Sequence, residues 1–150
     1  YIRLDREFLP ELTSLRLFNN GFHELKIGDQ ICILSSGYML HRVLKAHDIL
    51  EKEGIKIGVI DLFRIKPINY DLLKAINHYS AIVTVEEQCL SGGFGSAVLE
   101  VMSDNGTIRK PVHRMGLPDR YYFENGGRSH ILDAFGLSVE NICAKIKDLH

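Results

Sequence analysis

The chain has 150 residues, a length that is enough for one domain with a substantial apolar core. Its contents of 45% hydrophobic and 25% charged residues are ordinary for a globular protein. Its net charge of −1 favours neither nucleic acid nor an anionic membrane as a partner, and no apolar run approaches the roughly 20 residues that cross a bilayer. The three cysteines, Cys32, Cys89 and Cys143, lack disulfide or zinc spacing, which is typical of a reducing cytosol. We therefore expect a cytoplasmic protein.

The first 27 residues lack the regular pattern of the rest of the chain. Residues 1–7 alternate between polar and apolar side chains, which predicts a short strand. Residues 8–27 contain Pro10 and the turn signal Asn19-Asn20-Gly21 but no sustained period. We interpret residues 8–27 as a linker that could carry a short strand or helix of its own.

From residue 28 onward, strand and helix patterns alternate. Apolar runs bounded by turn residues predict strands at 30–35, 56–61, 81–85 and 111–115. Amphipathic stretches predict helices at 38–53, 95–104, 129–135 and from the N-cap Ser138 onward, with a short helix capped by Asn69. This alternation implies βαβ crossovers and helices on both faces of a sheet. The predicted fold is α/β, a three-layer α/β/α sandwich with a mostly parallel sheet of about five strands.

The third predicted strand leads into two carboxylates and a glycine cluster. The residues concerned are Glu86, Glu87, Gly92, Gly93 and Gly95. Glycines before a helix expose backbone N–H groups that can bind an anion. However, Val98 replaces the third glycine of a dinucleotide fingerprint, and no P-loop lysine follows Gly95. We expect a tight strand-to-helix connection, with an anion site as the alternative.

The two carboxylates lie where open α/β sheets bind ligands, at the carboxyl end of a strand. Adjacent residues of an extended strand point to opposite sides, so Glu86 and Glu87 cannot form an acid–base pair. We expect one carboxylate to accept hydrogen bonds from nearby backbone N–H groups and the other to be solvated.

No pattern in the chain predicts a catalytic, cofactor-binding or metal-binding residue. His41 and His47 share a predicted helix, but six positions apart they lie on poorly aligned faces. The motifs His-Glu-x-x-His and Gly-x-Ser-x-Gly are both absent. We therefore expect no catalytic and no metal site in this chain.

The stretch 109–130 combines positive charge with adjacent aromatic residues. Its five cations are Arg109, Lys110, Arg114, Arg120 and Arg128. Scattered cations are more typical of surface ion pairs than of a phosphate site, which stays the alternative. Asp119 and Arg120 precede Tyr121, Tyr122 and Phe123. Three adjacent aromatic residues in a loop are rarely all buried, so we predict an interface with another subunit at residues 119–122.

Three ordered motifs resemble the C-terminal domain of the transketolase-like thiamine diphosphate enzymes. They are Ile65-Lys66-Pro67-Ile68, then Val85-Glu86-Glu87 with the glycine cluster, and Gly116-Leu117-Pro118-Asp119-Arg120. The similarity covers residues 28–149. Residues 1–7 resemble the last strand of the pyrimidine-binding domain that precedes this one in the family. The resemblance thus implies a division into residues 1–7, a linker 8–27 and a C-terminal domain 28–150.

The resemblance implies an assembly role. In the family, other domains hold thiamine diphosphate and Mg²⁺, and the C-terminal domain contributes mainly to dimer formation. The family's Gly-Asp-Gly motif and its activating glutamate have no match here. We therefore expect the chain to be inactive alone and to work with pyrimidine- and diphosphate-binding domains or a subunit that carries them, in a homodimer that transfers two-carbon ketol units between sugar phosphates.

Within the superfamily, the second and third motifs look most like 1-deoxyxylulose-5-phosphate synthases and the C-terminal halves of split transketolases. We favour a transketolase-type protein. Two alternatives stay open. The first is a non-catalytic module that docks a partner or binds a regulatory nucleotide, and the second is a domain of a 2-oxoacid dehydrogenase beta subunit.

Overall fold

The computed structural model describes residues 2, 5, 8–12, 18–105, 110–123 and 125–150. Of the predicted strand at residues 1–7, only Ile2 and Asp5 are described, and neither belongs to a regular element. The rest of that predicted strand lies outside the described residues.

Within the described residues, five strands form a single sheet. They are β1 (His23–Lys26), β2 (Ile31–Ser35), β3 (Gly58–Asp61), β4 (Ala81–Cys89) and β5 (Val112–Leu117), in the spatial order β1-β3-β2-β4-β5. Strand β1 pairs antiparallel with β3, and the other pairs are parallel. The predicted mostly parallel sheet is confirmed. Its antiparallel edge strand, β1, lies within the segment 8–27 that the sequence led us to interpret as a linker.

Helices follow the parallel strands. They are α1 (Gly37–Lys52), α2 (Asp71–Ala75), α3 (Phe94–Asn105), α4 (Gly127–Ala134) and α5 (Val139–Leu149), with a 3₁₀ turn at Phe18–Asn20. The predicted cap of the last helix is present, because Ser138 Oγ accepts a hydrogen bond from the Asn141 N–H at 3.2 Å. Asn69 acts similarly before α2, where its Oδ1 accepts from the Asp71 N–H at 2.9 Å.

Two apolar cores lie on the two faces of the sheet. Because side chains alternate along a strand, Ile31 and Ile33 of β2 pack into one core, while Cys32 and Leu34 pack into the other. Helices α1, α4 and α5 cover the first core, and α2 and α3 cover the second. The predicted three-layer α/β/α sandwich is therefore confirmed.

Strand β4 continues four residues beyond the predicted end at residue 85. Strand β2 ends where Ser35 lies opposite Val85, so residues 86–89 have a neighbour only in β5. The apolar pattern stops at Val85 because β4 ceases to be a central strand there. The two carboxylates consequently lie on an extended strand, beyond the end of β2.

The carboxyl ends of β2 and β4 form the crevice in which open α/β sheets bind ligands. Helix α1 leaves β2 towards one face and α3 leaves β4 towards the other, which makes this position the topological switch point. Ser35 Oγ bridges the two strands there by donating to the Val85 carbonyl at 2.8 Å. Among the described residues, no helix combines the length and the apolar character that a membrane crossing needs.

Candidate functional site

The carboxylate of Glu86 occupies the N-terminus of α3. Glu86 is only 3% exposed, and its two oxygens accept hydrogen bonds from the Phe94 N–H at 2.6 Å and the Gly95 N–H at 2.9 Å. Burial raises the pKa of Glu86, and the two N–H donors and the charge of Arg114 oppose that rise. The helix end that could have held an external anion thus already holds an anion of the protein itself. This confirms the expectation for one of the two carboxylates.

The glycines after β4 permit this close packing. A Cβ atom on Gly93 would lie 2.2 Å from both Glu86 Oε2 and the Cys89 carbonyl oxygen. A Cβ atom on Gly95 would lie 2.5 Å from Thr84 Oγ1. Both positions therefore require glycine for steric reasons that involve no ligand.

Polar side chains close the same turn. Ser96 Oγ donates to the Leu90 carbonyl at 3.0 Å, and Arg114 Nη1 donates to that carbonyl at 2.7 Å. Gly92 has a φ of +70°, in the left-handed region that favours glycine, and faces open space. The turn 86–96 is the tight strand-to-helix connection that the sequence predicts.

Glu87 points to the opposite side of the sheet and binds Arg128. Arg128 Nε donates to Glu87 Oε2 and its Nη2 donates to Glu87 Oε1, both at 2.8 Å. The expectation of a solvated second carboxylate is wrong, because the ion pair leaves the Glu87 side chain only 17% exposed. The opposite directions of Glu86 and Glu87 confirm that they form no acid–base pair.

Arg128 also binds Asp5. Its Nη1 and Nη2 donate to Asp5 Oδ1 and Oδ2 at 3.0 and 2.7 Å, and its guanidinium carbon lies 3.9 Å from the centroid of the Tyr38 ring. Sequence analysis counted Arg128 among five scattered cations and missed this position. No local pattern could have revealed it, since its partners lie 41 and 123 residues away.

The carboxyl end of β3 carries a partly buried acid, Asp61, that the sequence patterns did not single out. Burial raises the pKa of Asp61 from 3.8 to about 6, and a hydrogen bond to Ser36 opposes the rise. Asp61 Oδ1 lacks a hydrogen-bond partner within the described part of the chain. An aspartate as the last residue of an otherwise apolar strand is the signal that could have drawn attention to it.

The other cations have separate protein partners. Lys110 Nζ donates to the carbonyls at the end of α2, those of Ile76, Asn77 and Tyr79, at 2.9, 2.8 and 2.5 Å. Arg120 lies over the Phe135 ring, 5.1 Å from its centroid. Arg109 is outside the described residues. The described cations of this stretch therefore have partners within the chain, but only Arg128 forms the ion pairs that the sequence led us to expect.

The loop after β5 presents two aromatic rings to solvent. Tyr121 and Phe123 are 90% and 89% exposed. Tyr122 instead packs edge-on against Phe135, with ring centroids 4.6 Å apart, and its hydroxyl donates to the Pro118 carbonyl. Asp119 is exposed at the start of the loop. We call residues 119–123 the aromatic loop.

One group of potential metal ligands lies on α1. Ligand atoms of His47, Asp48 and Glu51 lie within 4.8 Å of one another, and His47 Nδ1 lies 3.2 Å from Asp48 Oδ1. Sequence analysis considered only the pair His41 and His47. Exposed acidic groups of this kind are common without an ion, and here only the histidine is buried.

A half-open cavity of about 410 Å³ lies beside the N-terminal half of α1. Leu9 and Pro10 form one wall, and helices α4 and α5 form the other. Its polar side chains bind one another: Arg42 Nη1 donates to Asp133 at 2.5 Å and to the Leu137 carbonyl at 2.9 Å.

The architecture is that of a doubly wound α/β domain in which Ser35 and Glu86, at the carboxyl ends of β2 and β4, both bind backbone groups of the chain itself. Residues 22–142 match the family model "Transketolase, C-terminal domain", and the chain belongs to this family.

Two curated relatives are synthases. The chain is 39% identical over 127 residues to 1-deoxy-D-xylulose-5-phosphate synthase 2 of Geobacter sulfurreducens, which covers 83% of the chain and 20% of the relative. It is also 39% identical over 124 residues to 1-deoxy-D-xylulose-5-phosphate synthase of Bacillus velezensis, covering 82% of the chain and 19% of the relative. The chain thus spans about a fifth of the length of these relatives.

Two solved structures are similar in fold. A split-gene transketolase, described as an inactive beta4 tetramer, superposes with a TM-score of 0.83 at 33% identity, covering 95% of the chain and 47% of that protein. A mutant transketolase from Pichia stipitis superposes with a TM-score of 0.66 at 19% identity over 95% of the chain and 20% of its own length. The second similarity shows the fold alone.

The thiamine diphosphate of these enzyme families does not fit the glycine turn of this chain. The Phe94 and Gly95 N–H groups already bind Glu86, whose carboxylate would repel a diphosphate placed there.

Proposed function

We propose that this chain is the C-terminal assembly domain of a thiamine diphosphate-dependent, transketolase-like enzyme, and that it is not catalytic alone. The complete enzyme would transfer two-carbon ketol units between sugar phosphates in the cytoplasm. Family membership and the fifth of the relatives' length that the chain spans support this function. The observation that carries the proposal is Glu86, because its carboxylate uses the N–H groups that would otherwise make this edge a ligand site.

The cofactor and Mg²⁺ would belong to other parts of the enzyme. We propose pyrimidine- and diphosphate-binding domains, or a subunit that carries them, as the partners of this domain. Residues 1–7 would end the pyrimidine-binding domain, residues 8–27 would connect, and residues 28–150 would form the C-terminal domain. Strand β1 at His23–Lys26 and the family match from residue 22 support a connection whose last residues already belong to the sheet.

The aromatic loop is the surface that we propose for assembly into a homodimer. Tyr122 and Arg120 both pack on Phe135, so the base of the loop is fixed while Tyr121 and Phe123 point outward. Aromatic residues each bury 150–250 Å² on average in cores and interfaces, and exposed clusters of them are typical of contact surfaces. The other candidate residues, Glu86, Glu87, Gly92, Gly93 and Gly95, would support the fold beside this surface.

Sedimentation velocity over a concentration series tests the assembly role. We expect the chain to self-associate, and we expect Tyr121→Ser combined with Phe123→Ser to shift it to monomer. Tyr70→Ser, which removes an exposed tyrosine next to α2, is the matched control and should leave association unchanged. A chain that is monomeric at every concentration, or a double variant that associates like the wild type, would contradict the proposed interface.

The reaction is tested by reconstitution. The chain, joined to a pyrimidine-binding domain of the proposed enzyme, is mixed with the diphosphate-binding part, thiamine diphosphate and Mg²⁺. Transfer from a ketose phosphate to an aldose phosphate is the expected result. Use of a 2-oxo acid as donor in its place would favour a synthase or a 2-oxoacid dehydrogenase beta subunit.

A regulatory or docking module is the alternative class. Calorimetry with ATP and with NAD separates it from the assembly domain, for which we expect no heat of binding. A micromolar dissociation constant for either nucleotide would favour the alternative. The occupied N-terminus of α3 is the feature that argues against such a site.

A further inference from the structure

We propose that Arg128 is a positioning residue that fastens the entry segment, defined as residues 5 and 8–12, across the switch-point crevice between β2 and β4. The entry segment is thereby an intramolecular occupant of the position where open α/β sheets bind ligands. This fastening is a property of the chain itself and does not depend on the enzyme to which the domain belongs.

The first support is the geometry around the guanidinium. Arg128 makes paired hydrogen bonds to Asp5 at 2.7 and 3.0 Å and to Glu87 at 2.8 Å. Two parallel N–H···O bonds to one carboxylate are the strongest and most directional form of an arginine ion pair. Arg128 thus joins a carboxylate of the sheet to a carboxylate of the entry segment, and neither of these two acids is adjacent to it in sequence.

The second support is the surface beneath the guanidinium. The Tyr38 ring lies 3.9 Å below it, and the Tyr38 hydroxyl is 2.9 Å from Ser129 Oγ. Glu87 and Tyr38 therefore orient the guanidinium of Arg128 before Asp5 binds. Asp5 meets a preorganised partner, which reduces the side-chain entropy that an exposed ion pair otherwise loses.

The third support is the path of the chain after Asp5. Leu9 and Pro10 line the cavity beside α1, and Leu12 packs against the core under α1. Further on, Phe18 packs edge-on against Phe63 with ring centroids 5.7 Å apart. Residues 9, 10 and 12 of the entry segment thus lie beside α1 and its core, and Arg128 binds Asp5, which precedes them.

The structural consequence concerns both the crevice and the preceding chain. Arg128 holds Asp5 close to Glu87 at the carboxyl end of β4, because it binds both carboxylates. Any domain joined before residue 5 would take its orientation from the same contact. Arg128 positions these segments and touches no substrate.

Backbone ¹⁵N relaxation of the 150-residue chain tests the fastening. The first variant, Asp5→Asn, keeps the shape of the side chain but removes its charge. The second, Arg128→Lys, keeps the positive charge but removes the guanidinium group that makes paired hydrogen bonds. In both variants we expect the backbone order parameters of residues 8, 9 and 11 to fall from about 0.85, the value of a rigid backbone, to below about 0.6. Lys147→Ala, which removes the 2.6 Å pair with Glu53 between α5 and the end of α1, is the control and should change none of them.

Each other outcome overturns the proposal. Unchanged order parameters in Asp5→Asn would mean that the ion pair between Asp5 and Arg128 does not fasten the entry segment. A wild-type entry segment that is already below about 0.6 would mean that it is not fastened. An equal fall in Lys147→Ala would indicate general loosening of the domain. None of these results depends on ketol transfer, so failure of the proposed function would be recognised separately.

Discussion

The edge between β2 and β4 and the aromatic loop after β5 lie at the same end of the sheet but differ in what they leave available. At the edge, Glu86 binds the start of α3 and Glu87 binds Arg128, so both carboxylates have partners within the chain. In the aromatic loop, Tyr121 and Phe123 project into solvent. Charged residues in a ligand-binding position therefore do not by themselves identify a ligand site, whereas the exposed rings on a fixed base are the surface that we propose for contact with another chain.

The largest expected effect is that of Gly93→Val, which would disrupt the packing of the turn between β4 and α3. The new side chain would overlap Glu86 Oε2 and the Cys89 carbonyl, each 2.2 Å from its Cβ atom. We expect the free energy of unfolding in urea to fall by at least about 3 kcal/mol. Gly92→Ala is the control, because it adds strain at positive φ but meets no atom, and should cost about 1 kcal/mol. Equal costs would show that the close approach is unimportant.

Glu86→Gln tests the same edge through its charge. The amide keeps one acceptor but turns an NH₂ group towards one of the two N–H donors. We expect a loss of about 2 to 3 kcal/mol at pH 7, measured by urea unfolding. Glu100→Gln, on the exposed side of α3, should cost less than about 0.5 kcal/mol. A Glu86→Gln variant as stable as the Glu100→Gln variant would refute the capping role.

Asp61, at the carboxyl end of β3, differs from Glu86 and Glu87 in that its Oδ1 atom has no hydrogen-bond partner among the described residues. The pKa of Asp61 is about 6 in the folded state and 3.8 in the unfolded state. Protonated Asp61 therefore adds its full contribution to the free energy of unfolding below pH 3.8, and this contribution is lost as the pH rises to about 6. The stability of the wild type relative to Asp61→Asn should therefore fall by about 2 kcal/mol between those values. Unfolding curves of Asp104→Asn, an exposed control, should stay parallel to those of the wild type.

The smallest expected effect is that of Tyr121→Ser in the aromatic loop. Tyr121→Ser should change the free energy of unfolding of the monomer by less than about 0.5 kcal/mol, because the ring contributes little to the folded core. Tyr122→Ser should cost more, about 2 kcal/mol, since it removes the packing on Phe135. Thermal unfolding at low protein concentration measures both. Equal losses would mean that the two rings do not differ in role.

The elements of the sheet could be predicted because local chemistry determines them. Ser138 caps α5 as predicted, and the apolar run at 81–85 forms a central strand with neighbours on both sides. Strand β1 was less accessible to prediction, since His23–Lys26 is polar enough to resemble a linker and becomes a strand by pairing with β3.

The candidate site could be predicted only where its partners are near in sequence. Glu86 binds N–H groups eight and nine residues away. The glycine cluster between them is a local signal that predicts the turn. Glu87 depends on Arg128, 41 residues away, and Asp5 depends on the same arginine from 123 residues away. Such pairs follow from the tertiary fold and not from local patterns, so a solvated Glu87 was the wrong expectation.

We propose that this domain serves assembly while other domains hold the cofactor. Isothermal titration of the 150-residue chain with thiamine diphosphate and Mg²⁺ tests it most directly, together with an assay for ketol transfer by the chain alone. We predict no heat of binding and no turnover. A saturable heat with a micromolar dissociation constant, or turnover by the chain without any partner, would contradict the account.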